Sequence, residues 1–122
     1  MQALVIDDSR ATRAILSRIL AGLGFDVDGA EDGRQGLDWL EEHGPADLVL
    51  VDWNMPVLDG LGFINAARAD VRFTDMRIVM VTTEGDMEHM VAALAAGADD
   101  YAMKPFTAGV IREKLQMLGV GA

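Results

Sequence analysis

Apolar and polar positions along this chain follow two rhythms, and the switch between them recurs five times. Short aliphatic runs read as strands: Leu4–Ile6, Phe25–Ala30, Leu48–Val51, residues 77–81 ("RIVMV") and the "DYAMK" stretch from Asp100. Between them, apolar residues recur three and four positions apart, the spacing of one helix face. From Ser9 this spacing puts Ile15, Leu16, Ile19, Leu20 and Leu23 on one face, with Gly24 as the stop. Residues 33–43 form a second helix with Leu37 and Leu40 inward, closed by "HGP", and residues 59–69 a third. Residues 86–96, carrying Met87, Met90, Val91 and Leu94, form a fourth, and Thr107 to Leu118 a fifth. The third strand is the most apolar and the second the weakest. Strands apolar on both faces and separated by helices predict a parallel sheet covered on each side, because right-handed crossovers place helices on both faces. The expectation is an α/β, doubly wound (βα)5 fold with a five-stranded parallel sheet.

Composition narrows the possibilities. A chain of 122 residues suits one domain, expected to span 1–122. With 51% hydrophobic and 25% charged residues it reads as an ordinary soluble protein. The absence of cysteine excludes disulfides, thiolate metal sites and a cysteine nucleophile. No apolar run reaches membrane-spanning length, and "MQALVIDDSR" carries no basic leader, so a cytoplasmic location is expected. Twenty acids against ten bases give a net charge of −10. That balance argues against nucleic acid and anionic membranes as partners. It suits a basic partner surface, or a cation held by clustered acids, while most of the acids simply aid solubility. His43 and His89 stand far apart in polar helical contexts and read as surface residues. The eight methionines fall mostly at core-like spacings and read as packing rather than as a binding surface.

The chemistry lies in the residues that follow the strands. Asp7 and Asp8 follow the first, Asp52 the third, Thr82 and Thr83 the fourth, and Lys104 and Pro105 the fifth. In a parallel sheet these ends share one edge, where open α/β folds bind ligands. Adjacent carboxylates repel, and burial opposes their ionisation further, so something must neutralise them. Mg²⁺ suits an all-oxygen site of a few carboxylates, a carbonyl and waters. With Lys104 as a second positive charge and a hydroxyl as donor, the group suits the placing of a phosphoryl group, whose transfer depends mainly on positioning and charge neutralisation. Each piece has a plainer reading. The acid pair before Ser9 could cap a helix, Asp52 could turn the chain, Lys104 could be a surface base, and "TT" could start a helix. Their conjunction at the end of every strand but the second is what favours the chemical reading.

With these residues in view, the chain resembles the receiver domains of the two-component response regulators, most closely the single-domain chemotaxis type. The matching segments are "VIDDSRATR", "DWNMPVLDG", "VTTEG", "AGADDY" and "KPFT", in the family's order from residue 5 to residue 107. The resemblance implies the strand order 2-1-3-4-5, for which this family is itself a standard example. It implies that Asp52 is the phosphoacceptor, served by a sensor histidine kinase or a small phosphodonor. Asp8 and Asp52 would ligate Mg²⁺, Asp7 would act through water, and the Asn54 carbonyl would complete the set. Lys104 would pair with the phosphoryl oxygens. Thr82 would be the switch hydroxyl, swinging towards the phosphoryl group so that Tyr101 rotates inward behind it. The Lys104–Pro105 bond would be cis. The face made by helix 86–96, strand 100–103 and the last helix would meet a downstream protein, the flagellar motor switch in the chemotaxis type.

Other readings compete. A flavin-binding protein of this fold needs an anion-accepting loop where "DDSR" places acids. An Mg²⁺-dependent aspartyl-phosphate phosphatase carries its nucleophile as D-x-D after the first strand and needs a cap; here the acid between "LVLV" and "WNMP" belongs to the third strand, and no cap-sized insertion exists. A degenerate receiver would lack one of the acids or the lysine. Within the family, the chain stops about a helix after Lys104, so a monomeric regulator without an output domain is expected. Thr83 stands where the nearest chemotaxis proteins often carry alanine, and the first strand begins almost at residue 1. A phosphorelay intermediate or a regulator of another pathway therefore stays open.

Overall fold

The computed structural model describes residues 1–120. Its elements alternate as expected: β1 (Gln2–Ile6), α1 (Arg10–Gly22), β2 (Asp26–Ala30), α2 (Gly33–His43), β3 (Leu48–Val51), α3 (Gly60–Arg68), β4 (Arg77–Thr82), α4 (Met87–Ala96), β5 (Asp100–Met103) and α5 (Ala108–Met117). The strands form one parallel sheet in the order β2-β1-β3-β4-β5. A short 3₁₀ turn at Val71–Phe73 precedes β4 and was not expected from the pattern.

Each helix starts where a short polar side chain takes up a free N–H of the first turn. Ser9, Asp32, Asp59, Asp86 and Thr107 fill this role for α1 to α5 in turn. Three of the chain's many acids are thereby structural.

Successive strand residues point to opposite faces, and the core divides accordingly. Leu4, Ile6, Val49, Val51, Ile78 and Met80 pack against α2, α3 and α4 through Leu40, Phe63, Ile64 and Ala93. Ala3, Val5, Leu48, Leu50, Val79 and Val81 pack against α1 and α5 through Leu16, Leu20, Ile111 and Leu115. Burying each large aliphatic side chain contributes about 1.5–3 kcal/mol, so the two layers together hold the sheet rigid.

Two packing expectations need correction. Ile15, placed inward with Leu16, is 52% exposed. Of the eight methionines only Met76 and Met80 are buried, whereas Met1, Met87, Met103 and Met117 are exposed. On α4, Val91 and Leu94 are exposed as well, because the helix turns the small side chain of Ala93 to the core. No helix among the described residues is long and apolar enough to cross a membrane.

Candidate functional site

The strand ladder runs one residue beyond β1 and β3 and carries the acids with it. Asp7 N–H donates to the Ala30 carbonyl at 3.1 Å, and Asp52 N–H donates to the Ile6 carbonyl at 3.0 Å. Lys104 N–H donates to the Thr82 carbonyl at 2.9 Å in the same way. Behind Asp52, a Cβ at Gly60 would run into the Asp52 carbonyl, so only glycine lets α3 start so close to the strand end.

These anchors bring the carboxylates of Asp7, Asp8 and Asp52 together, with one oxygen of each within 4.8 Å of the others. Asp7 is 1% exposed and Asp52 8%, whereas Asp8 opens to solvent. The Lys104 ammonium bridges the buried pair, donating to Asp7 Oδ2 at 2.8 Å and to Asp52 Oδ2 at 3.1 Å. The second oxygen of each accepts from backbone: Asp7 Oδ1 from Ser9 N–H at 2.8 Å, Asp52 Oδ1 from Trp53 N–H at 2.7 Å. Arg13 Nη1 holds the Asp7 carbonyl at 2.7 Å.

The electrostatics follow from this geometry. Burial opposes the charge on Lys104, but the hydrogen bonds and fields of Asp7 and Asp52 outweigh it and hold the lysine pKa above its ordinary value. One ammonium against three carboxylates leaves negative charge uncompensated. Such an oxygen-only set, with Asp8 on the open side, fits a hard divalent cation that keeps several waters. Removing the lysine alone would strand buried charge.

Thr82 is fully buried, and its Oγ1 accepts from Glu84 N–H at 3.2 Å, which closes the turn into α4. The Tyr101 ring lies inward, 5% exposed, with the hydroxyl buried and unpartnered. Burial, helped by the charges of Glu84, Asp86 and Asp52, pushes its pKa up to about 12. The Asn54 side chain donates to the Glu84 carboxylate. The Lys104–Pro105 bond is cis, as the resemblance implied.

Sequence reasoning brought Asp7, Asp8, Asp52, Thr82 and Lys104 to one edge, and they are there. It passed over Arg13, Gly60 and Glu84. Glu84 lies in the quoted "VTTEG" segment, and its place two residues after Thr82 was the available signal. His43 is exposed and stacks on Trp39, with ring centroids 4.3 Å apart. His89 is half-buried near the site rather than free on the surface, its ring 4.6 Å from that of Trp53.

Comparison with known proteins gives a consistent result. Residues 3–116 match the protein family described as "Response regulator receiver domain". The chain is 42% identical over 124 residues to a chemotaxis protein CheY homolog of Campylobacter jejuni, covering 100% of this chain and 95% of that protein. It is 40% identical over 119 residues to the chemotaxis protein CheY1 of Helicobacter pylori, covering 97% and 96%. Among solved structures, the chemotaxis protein CheY4 of Vibrio cholerae superposes with a TM-score of 0.88 at 33% identity, covering 95% of this chain and 96% of that one.

Proposed function

This chain belongs to the response regulator receiver domain family, and from that premise we propose that Asp52 is the residue that accepts the phosphoryl group. Receiver domains are phosphoryl-accepting switches rather than classical enzymes. The observation that carries the assignment is the Lys104 bridge: one ammonium holds Asp52 and Asp7 at a rigid sheet edge, with Asp8 open beside them.

In this scheme an Asp52 carboxylate oxygen bonds to phosphorus as the bond from phosphorus to the donor breaks. The donor is a phosphohistidine of a sensor histidine kinase or a small acyl phosphate. Asp8, Asp52 and the Asn54 carbonyl would hold Mg²⁺, with Asp7 acting on it through water. The chemistry supplied by Mg²⁺ when bound is neutralisation of charge on the phosphoryl oxygens. Lys104 exchanges its contact with Asp52 for one with a phosphoryl oxygen. Thr82 trades its turn hydrogen bond for one to another. Thr82 and Tyr101 form the switch: as Thr82 moves towards the phosphoryl group, the Tyr101 ring fills the space behind it, since a close-packed interior does not tolerate a void.

The output we assign is chemotactic, on the strength of full-length identities of 40–42% to chemotaxis proteins. The partner surface is the face of α4, β5 and α5, where Met87, Val91, Leu94, Met103 and Val110 are exposed. An apolar patch of this kind marks a protein contact. A basic rim on the partner would suit the chain's negative charge. Residues 1–122 act as one monomeric receiver unit in the cytoplasm.

Intact-mass measurement after treatment with acetyl phosphate and Mg²⁺ tests the chemistry. One base-labile phosphoryl group is expected, and none in Asp52→Asn, because an amide is a far poorer nucleophile. Stoichiometric label on Ser9 or Thr82 would refute the assignment. Asp8→Ala is expected to abolish most Mg²⁺ binding and, with it, most of the labelling. A pull-down with the beryllofluoride form decides the output: a motor-switch protein supports chemotaxis, and a histidine-phosphotransfer partner alone would make the chain a phosphorelay intermediate.

A further inference from the structure

A second group of side chains gathers on the rim of the acid cluster. The loop joining β4 to α4 carries Glu84 and ends in Asp86, the cap of α4, and His89 stands one turn into that helix. His89 Nδ1 lies 2.7 Å from Asp86 Oδ1, and its Nε2 lies 3.8 Å from Glu84 Oε2. Its ring meets Trp53 edge-on, at 4.6 Å between centroids and 71° between planes. Glu84 in turn accepts the side-chain amide of Asn54. Trp53 and Asn54 are the two residues after Asp52, so His89 reaches both, one directly and one through Glu84.

The proton count of the ring decides whether this group can close. Asp86 is fixed by its second task, accepting His89 N–H at 2.8 Å as the helix cap. A neutral ring that donates from Nδ1 to Asp86 must turn an Nε2 lone pair towards the Glu84 carboxylate. Only the imidazolium has a donor for each acid.

The charges around the ring point the same way. The hydrogen bond to Asp86, then the fields of Asp86, Glu84 and Glu88, hold the His89 pKa above its ordinary 6.5. The loop from Trp53 to Leu58 carries no charged side chain. On α3 the one charged residue, Arg68, is engaged with Gly97 and Asp99 at the far end of α4. On the β5 side, Asp100 pairs with Lys114 and Lys104 with Asp7 and Asp52.

We propose, resting on the reading of Asp52 as phosphoacceptor, that His89 is a positioning residue whose proton closes Glu84, Asn54 and Trp53 over the site, so that the lifetime of the phosphoryl group depends on pH near neutrality. With the proton on, Glu84 is held between Asn54 and His89 and the β4–α4 loop is pinned. With it off, Glu84 loses one partner and the rim loosens. Water then reaches phosphorus more often; its oxygen bonds to phosphorus as the bond to Asp52 breaks, giving inorganic phosphate and the free carboxylate. Because the native pKa is raised, the contact is fully present below pH 6.5 and is lost as pH rises through the higher native value.

The test uses the full chain with Trp39→Phe, because Trp39 has its own stack on His43 and would confuse the signal. Trp53 emission is followed from about pH 5 to about pH 9 without metal, in the parent, His89→Gln and His89→Lys. The three proteins are then labelled with acetyl phosphate and Mg²⁺, the donor is removed, and loss of label is timed over the same range. Trp53 emission should titrate in a single step above pH 6.5 in the parent and in neither variant. Loss of label in the parent should match His89→Lys at low pH and approach His89→Gln at high pH, the two variants differing about two- to fivefold, as a half-exposed ion pair allows. Parallel profiles in all three proteins, or a parent emission that ignores pH, would overturn the proposal. A parent that takes no label on Asp52 refutes the phosphoacceptor reading instead, and the emission titration then judges the His89 contact alone.

Discussion

Helices α1 and α4 both begin beside the acid site, and they dispose of their apolar residues in opposite ways. α1 buries Leu16 and Leu20 under the sheet, at 1% and 0% exposure. α4 buries only Ala93 and leaves Met87, Val91 and Leu94 at 73%, 56% and 46%. Both sequences carry apolar residues at helical spacing, so periodicity alone cannot separate them. The difference lies in the residues between. α1 has arginines and a serine on its second face, whereas α4 offers alanines at 92, 93, 95 and 96, a second apolar stripe of small side chains. A helix apolar nearly all round has no unique inward face, and close approach to the sheet selects the smaller one. α1 therefore serves stability, and α4 keeps its large side chains for a partner.

The largest effect should come from truncating equivalent leucines. Leu20→Ala removes a fully buried side chain and should cost about 2–5 kcal/mol in urea unfolding. Leu94→Ala should stay within about 0.5 kcal/mol, because its side chain is 46% exposed, while weakening capture of the downstream protein. Equal losses of stability would erase the distinction between the helices.

This contrast also marks the limit of what the residue pattern conveys. Strand-end residues were readable because topology alone gathers them: any parallel sheet that places Asp7, Asp52 and Lys104 after its strands puts them on one edge. Helix starts were readable because Ser9, Asp59 and Thr107 are favourable caps wherever they precede an apolar period. Features that depend on which surface wins a packing contest were not. Ile15 and Leu16 are neighbours with equal claims on the core, and only docking against β1 chooses Leu16. The Glu84–Asn54 and His89–Trp53 contacts need the β4–α4 loop to fold back over β3, a closure across 30 residues or more that no local spacing encodes. The 3₁₀ turn at Val71–Phe73 is too short to show a period.

The second effect probes the sheet face beneath α4. Tyr101 lies there with an unpartnered hydroxyl, the one buried side-chain polar atom without a partner among the described residues, and the face under α1 has none. Tyr101→Phe removes that orphan and should raise stability by about 1 kcal/mol at neutral pH. The advantage of the variant should grow in alkali. The native phenol pKa is raised from 10.0 to about 12, so the native state holds a proton that the unfolded chain gives up, and wild type loses stability as pH rises between those values. The loss reaches about 2–3 kcal/mol relative to Tyr101→Phe. Comparing the two proteins at each pH cancels every other titration. A constant difference from pH 9 to 12 would mean that the phenol is more hydrated than its burial indicates.

The smallest effect compares two glycines, one closing α1 and one leading into α4. Gly22 ends α1, and a Cβ there would meet nothing within 4 Å. Gly22→Ala should therefore stabilise by about 0.4–1 kcal/mol, chiefly by narrowing the unfolded ensemble. Gly85, just before the α4 cap, faces the Met103 side chain, whose Sδ would lie 2.6 Å from an added Cβ. The neighbour is the end of a flexible, 41% exposed side chain, so it can move aside and Gly85→Ala should be close to neutral in stability. Its consequence should appear elsewhere, as chemical-shift changes at Met103 and along the first turn of α4 and as altered capture of the partner. Gly22→Ala should leave those signals untouched. If both substitutions stabilise equally and neither disturbs Met103, the thioether does not rest on the loop, and α4 is no more coupled to the acid site than α1 is.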